Sequence, residues 1–229
     1  MRRVRDLSWR YPEWWSLALS AAAWMALGAL GDSQHHGSDA VRWAWWTATW
    51  LLMVVAMMVP LVSGSIHFTA VRSLWRRRHR AIAGFLAGFL GLWLLAGLAA
   101  LGAAEVLDSV QGSRPAASIA GFILAAAWQH APARQRALVA CHGSASLAPL
   151  GWQADRDCIR YGWTIGRRCL VACWVVMLAY LAAGHGLLLM AGVTGVVMVE
   201  RYSRRPNRYA MSGALAALGA VVLCFSRGA

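Results

Sequence analysis

The 229-residue sequence contains no lysine and only nine acidic residues, and charged side chains make up 14% of it. Hydrophobic residues account for 59%, and the mean hydropathy is +0.50. This composition is too apolar for a soluble domain and is typical of an integral membrane protein. No segment between the apolar runs is long enough to build a basic recognition domain, so the net charge of +13 does not indicate nucleic-acid binding.

Enzyme signatures are also lacking. The sequence has no G-x-S-x-G, no glycine-rich phosphate loop, no H-E-x-x-H and no pair of mid-membrane carboxylates, because Glu105 and Glu200 stand at predicted helix ends. We therefore predict that the protein is not an enzyme. There is no C-x-x-C pair and no H-x-x-x-H spacing, which argues against a zinc site. Five cysteines in a membrane protein do not indicate a disulfide framework, so the thiols are available as ligands.

Seven stretches are apolar enough to cross or nearly cross a bilayer, which takes about 20 helical residues. They lie near residues 14–30, 43–68, 81–104, 116–130, 165–183, 187–199 and 209–225. The predicted fold class is all-α: a polytopic transmembrane helical bundle of about seven spans, forming one domain over residues 1–229. The first run also resembles a signal peptide, but its length favours a retained anchor.

The arginines predict the orientation of these spans. They cluster in residues 2–10, 72–80, 134–168 and 201–208, which fall on alternate connections, and leave Arg42, Arg114 and Arg227 for the other side. By the positive-inside rule the N-terminus is cytoplasmic, and residues 131–168 form a cytoplasmic connecting segment that lies on the membrane. We expect a multi-pass protein of the bacterial cytoplasmic (inner) membrane.

The second run contains three methionines followed by a proline. Met53 and Met57 share one face of a helix, and Met58 is displaced by about 100°. Pro60 removes the backbone hydrogen bond to the Ala56 carbonyl and is expected to bend the helix. Methionine serves either as adaptable core packing or as a soft metal ligand, and this run alone fits both interpretations.

The fifth run carries a second stripe of sulfur. Cys169, Cys173 and Met177 recur at intervals of four residues on one helical face, at about the same depth as Met53 and Met57 if the two helices touch. Soft sulfur ligands favour Cu(I). Cys141 and His142 lie next to each other on the predicted cytoplasmic side, where a thiolate and an imidazole can receive or hand over a soft ion. The competing interpretation is that all these residues pack the core.

Three motifs resemble a known family. They are W-x6-M-x3-MM-x-P from Trp46 to Pro60, W-Q-x2-P from Trp128 to Pro132 followed by Cys141, and G-x2-C-x3-C-W-x2-M from Gly166 to Met177 with a later Glu200. In this order they resemble a bacterial family of predicted metal-binding integral membrane proteins, a domain of unknown function. The resemblance covers roughly residue 43 to the end of the last run and implies metal binding. The family commonly has two further cysteines at positions that are Ala137 and Ala172 here, which implies a reduced ligand set.

The sequence therefore supports two hypotheses. The first is a membrane protein that binds or transfers a soft metal, with Cu(I) favoured, and whose partners are the lipid bilayer and a metallochaperone or a larger membrane complex. Its predicted ligands are Met53, Met57, Met58, Cys141, His142, Cys169, Cys173 and Met177. The alternative is a non-catalytic subunit that scaffolds a membrane complex through some of its fourteen tryptophans, of which Trp43, Trp46 and Trp50 share a helical face.

Overall fold

The computed structural model describes residues 12–30, 39–108, 114–141, 143–148, 150–183, 186–203 and 207–227. Within these ranges the chain forms nine α-helices and no strand. They are α1 (Trp14–Leu30), α2 (Asp39–Leu61), α3 (Ser63–Arg72), α4 (Arg78–Asp108), α5 (Arg114–Trp128), α6 (Pro132–Ala140), α7 (Gly151–Ala182), α8 (Leu187–Tyr202) and α9 (Arg208–Arg227). The predicted all-α class is confirmed.

Within the described residues, three helices are long and apolar enough to cross a membrane. These segments are Ala40–Leu61, Trp75–Ala103 and Gly151–Ala182, and two shorter apolar helices cover Trp14–Leu30 and Ile119–Trp128. Six of the seven predicted runs fall largely within one helix each, whereas the run at residues 43–68 crosses the break between α2 and α3. Their lengths support three spans directly, and the total of seven stays a prediction.

The segment at residues 131–168 is more helical than a connection needs to be. It contains all of α6 and the first half of α7, which begins at Gly151 with a φ of 78° and runs without a break into the apolar part. Charged residues such as Asp155 lower the hydropathy of this half without opposing helix formation. Asp155 is paired with Arg77 at 2.7 Å and Arg80 at 2.8 Å.

The chain divides into two compact units. The first unit comprises Met1–Leu98 and His142–Arg167, and the second comprises Ala99–Cys141 and Arg168–Ala229. Each is described by itself below.

Pro60 lies at the end of α2 in the first unit, and the predicted bend of the helix stays a prediction. Helix α2 ends at Leu61, one residue after the proline, and α3 begins at Ser63. The carbonyl of Ala56, whose helical partner the proline removes, accepts hydrogen bonds from Ser20 Oγ at 2.9 Å and Trp24 Nε1 at 3.1 Å. Helix α1 therefore satisfies a carbonyl that would be costly to leave bare in a membrane.

Glycines bring α4 and α7 into close contact within the first unit. A Cβ atom on Gly88 would lie 2.1 Å from the carbonyl oxygen of Ile159, and one on Gly162 would lie 2.0 Å from that of Phe85. The small residue at Gly88 thus allows close helix packing. A Cβ on Gly91 would have no atom within 4 Å, so this residue takes no part in it.

We expect Gly88→Ala to destabilise the protein by about 1–3 kcal/mol, because the added methyl group meets backbone that cannot rotate away. Gly91→Ala is the matched control: it adds the same methyl group on the same helix in open space, and higher helix propensity should leave stability equal or slightly greater. Thermal unfolding in detergent measures both. Equal midpoints for the two variants would contradict the close contact.

Candidate metal centre

The three methionines of α2 are buried in the first unit. Met53, Met57 and Met58 are each 1% exposed. The Ala56 carbonyl beside Met57 is already occupied by the two side-chain donors from α1, so it is not free to bind an ion. These residues satisfy the core-packing interpretation, and their role as ligands stays a prediction.

The sulfur stripe of α7 lies in the second unit. Cys169, Cys173 and Met177 follow one another at successive turns of the helix, and all three side chains are buried. The thiols of Cys169 and Cys173 are hydrogen-bonded to each other. Two soft sulfur atoms are therefore in contact, with a thioether one turn further along the same face.

Cys141 belongs to the same neighbourhood. It is the C-cap residue of α6, its side chain is buried, and its thiol is close enough to Cys169 and Cys173 to interact with both electrostatically. Burial raises the pKa of the Cys141 thiol, and the nearby positive charges of Arg201 and Arg168 oppose this shift. His142, the predicted companion of Cys141, lies outside the described residues.

Two arginines hold the carboxyl end of α6 beside the thiols. Arg168 Nη1 donates to the Ala140 carbonyl at 2.5 Å, and Arg201 Nη2 donates to the Cys141 carbonyl at 3.4 Å. Guanidinium groups are favourable at this end of a helix, where the carbonyls lack helical partners. Arg201 is also hydrogen-bonded to the Cys141 side chain.

A buried ion pair stands next to this cluster. Arg134 of α6 is 2% exposed and Glu200 of α8 is 7% exposed. Arg134 Nη1 donates to Glu200 Oε1 at 2.5 Å and Nη2 donates to Oε2, so the contact is bidentate. Arg134 Nε donates to the Ala172 carbonyl at 3.1 Å, on the turn of α7 that carries Cys173.

This pair was missed from the sequence, where Arg134 counted as one of many cytoplasmic arginines and Glu200 as a helix-end residue. One signal was available: Glu200 is the only acidic residue after Asp157. A lone carboxylate in an arginine-rich, apolar stretch needs a cationic partner. Spacing alone did not indicate which arginine that is.

The tryptophan of the W-Q-x2-P motif touches the same part of α7. Trp128 Nε1 donates to the Val171 carbonyl at 3.1 Å, and its ring packs edge-on against Trp174 with centroids 5.7 Å apart. Trp128 is the first residue of the motif, and Arg134 lies two residues after its proline. Together they donate to the carbonyls of residues 171 and 172. These two hydrogen bonds position the turn of α7 that carries Cys173.

The donor set of the second unit fits Cu(I) better than zinc. In the part of the chain that the structure describes, no three His, Cys, Asp or Glu side chains are grouped closely enough to hold a metal. The tetrahedral set of a structural zinc site is therefore not formed there. Two adjacent thiols and a thioether are the ligand types that favour Cu(I).

The predicted ligands thus fall into two sets. Cys141, Cys169, Cys173 and Met177 belong to the second unit, whereas Met53, Met57 and Met58 belong to the first. Among the residues described, Cys141, Cys158, Cys169 and Cys173 form no disulfide. A single site that joins the two sets stays a prediction.

Comparison with known proteins identifies the family. A model of the family PpoB2, described as a copper chaperone, matches residues 47–224. The match covers more than three quarters of the chain, which therefore belongs to this family. No curated protein and no solved structure matches the chain.

We expect Arg134→Leu to destabilise the protein by about 3–5 kcal/mol, because it leaves the Glu200 carboxylate buried without its partner. Combining it with Glu200→Leu should restore most of that loss, since no charge then remains buried. Arg136→Leu is the control, an exposed arginine on the same helix. Thermal unfolding of the four proteins in detergent gives the values, and a double variant no more stable than Arg134→Leu would refute the pairing.

Proposed function

We propose that this member of the copper chaperone family binds Cu(I) between the thiolates of Cys169 and Cys173 and exchanges the ion with other proteins through Cys141. The family is one of copper chaperones, a class that is typically non-catalytic, and the sequence carries no enzyme motif. The apolar helices α2, α4 and α7 support a function carried out in the membrane.

The observation that carries this proposal is the contact between the two thiols. Cys169 and Cys173 are buried and hydrogen-bonded to each other, and Cys141 lies within electrostatic reach of both. Cu(I) binds stably to two soft ligands. The pair of Cys169 and Cys173 is therefore sufficient, even though the third cysteine, Cys141, is further away. Met177, one turn from Cys173, is proposed as a supplementary thioether ligand.

Cys141 is proposed as the exchange ligand because of its position. It ends the short helix α6, outside the long apolar helices, and follows a segment in which Pro132 and Arg136 are exposed. A copper ion moves between proteins by stepwise replacement of one thiolate by another. Cys141 has a buried side chain, but it is the one of the three thiols that lies outside the long apolar helices. We include His142 in this exchange position on the strength of the sequence.

The methionines of α2 are proposed as a second, weaker group of ligands. Met53, Met57 and Met58 are the right chemical type, and their burial would keep a bound Cu(I) ion away from oxidants. They would form a transient binding site for the ion, and the cysteine pair would be its main site. Partners in this scheme are a soluble metallochaperone or a copper-requiring membrane complex, besides the lipid bilayer.

Cys173→Ser combined with Met57→Leu should abolish stoichiometric Cu(I) binding, because it removes a thiolate from the main site and a thioether from the second group. The two single variants measure how much each substitution contributes to the loss of Cu(I) binding. We expect Cys173→Ser to account for most of that loss. The measurement is elemental analysis of detergent-purified protein that has been loaded with Cu(I) without oxygen and washed with a competing chelator.

Cys158→Ser is the matched control for this experiment. Cys158 is also buried and also on α7, but it belongs to the first unit, where it lies 3.4 Å from the Cβ position of Gly84. Copper retention close to one ion per chain should survive this change. Retention that also survives in the double variant would overturn the site assignment, and a stable complex with another membrane protein and no metal would favour the scaffolding alternative.

A further inference from the structure

We propose that Arg201 makes the Cys169 and Cys173 pair selective for a monovalent soft ion, by supplying a positive charge that balances a complex of Cu(I) with two thiolates. This inference rests on the proposed function and adds the basis of its ion selectivity. It follows from the distribution of charge around the thiols in the second unit.

Arg134 contributes no net charge to this environment. Both of its terminal nitrogens donate to the carboxylate of Glu200, and both side chains are buried, so the pair is neutral as a whole. Its third nitrogen, Nε, donates to the Ala172 carbonyl. Arg134 therefore positions the turn of α7 and leaves the charge of the site to other groups.

Arg201 has a positive charge that no described carboxylate neutralises. Its side chain is partly buried, donates to the carbonyl of Cys141 at 3.4 Å and is hydrogen-bonded to the thiol of that residue. It interacts electrostatically with the thiols of Cys169 and Cys173 as well. Among the residues described, no carboxylate forms an ion pair with Arg201. Arg168 donates to the Ala140 carbonyl at the end of α6, and its charge acts on the Cys141 thiol.

The charge of the complex depends on the valence of the ion. When Cu(I) replaces the protons of two thiols, two protons are released to the solvent and the resulting bis-thiolate complex carries one negative charge. A divalent ion that binds in the same way forms a neutral complex. In an apolar interior an unbalanced charge is strongly disfavoured, so Arg201 stabilises the monovalent complex and gains no partner from the divalent one.

Competition titrations of the full-length protein in detergent test this inference. The wild type, Arg201→Gln and Arg201→Lys are titrated without oxygen with Cu(I) against a chromogenic chelator, and separately with Cd(II). We expect Arg201→Gln to weaken Cu(I) binding by about tenfold or more, as for the loss of one buried charge partner, while Cd(II) binding is unchanged or tighter. Arg201→Lys, which keeps the charge, should retain most of the preference for Cu(I).

Arg160→Gln is the control, because it removes an exposed arginine from α7 and should leave both titrations unchanged. Arg201→Met, neutral and of similar length, serves as a second variant if Arg201→Gln does not fold. Equal weakening for Cu(I) and Cd(II) would show a structural role and overturn the inference, as would unchanged binding of both. If Cys173→Ser still abolishes Cu(I) binding in that case, the proposed function stands without it.

Discussion

The bidentate pair of Arg134 and Glu200 is the interaction on which the second unit depends. It joins α6 to α8, and the third donor of Arg134 reaches the backbone of α7 at Ala172. An ion pair this deeply buried contributes little net stability compared with apolar packing, but it tolerates only one arrangement of its partners. The three helices are thereby held in the register that places Cys141 within electrostatic reach of Cys169 and Cys173.

The Arg134 and Glu200 pair is neutral as a whole, which suits the monovalent ion of the proposed function. The arginine orders the cysteine-bearing turn without adding charge, and Arg201 and Arg168 provide positive charge at the end of α6. Burial raises the pKa of the Cys141 thiol, since desolvation disfavours a free thiolate, and so favours its protonated, less reactive form.

In the first unit, helices pack closely around a proline. The Ala56 carbonyl freed by Pro60 is satisfied by Ser20 and Trp24, and the glycines of α4 and α7 allow backbone contact. Trp50, which the sequence offered as a docking residue, is buried and donates to the Trp93 carbonyl at 2.9 Å. Polar groups in this unit are thus used for internal packing.

The sequence by itself determined the helical class, the apolar runs and the i, i+4 stripe of Cys169, Cys173 and Met177, because these follow from composition and from the local geometry of a helix. It also determined that Pro60 frees the Ala56 carbonyl. Only the tertiary structure decided that Ser20 and Trp24 occupy that carbonyl, that α7 begins as early as Gly151, and that Arg134 pairs with Glu200 across 66 positions of the chain. Side-chain partners so far apart depend on how helices pack against each other, and no local periodicity encodes that.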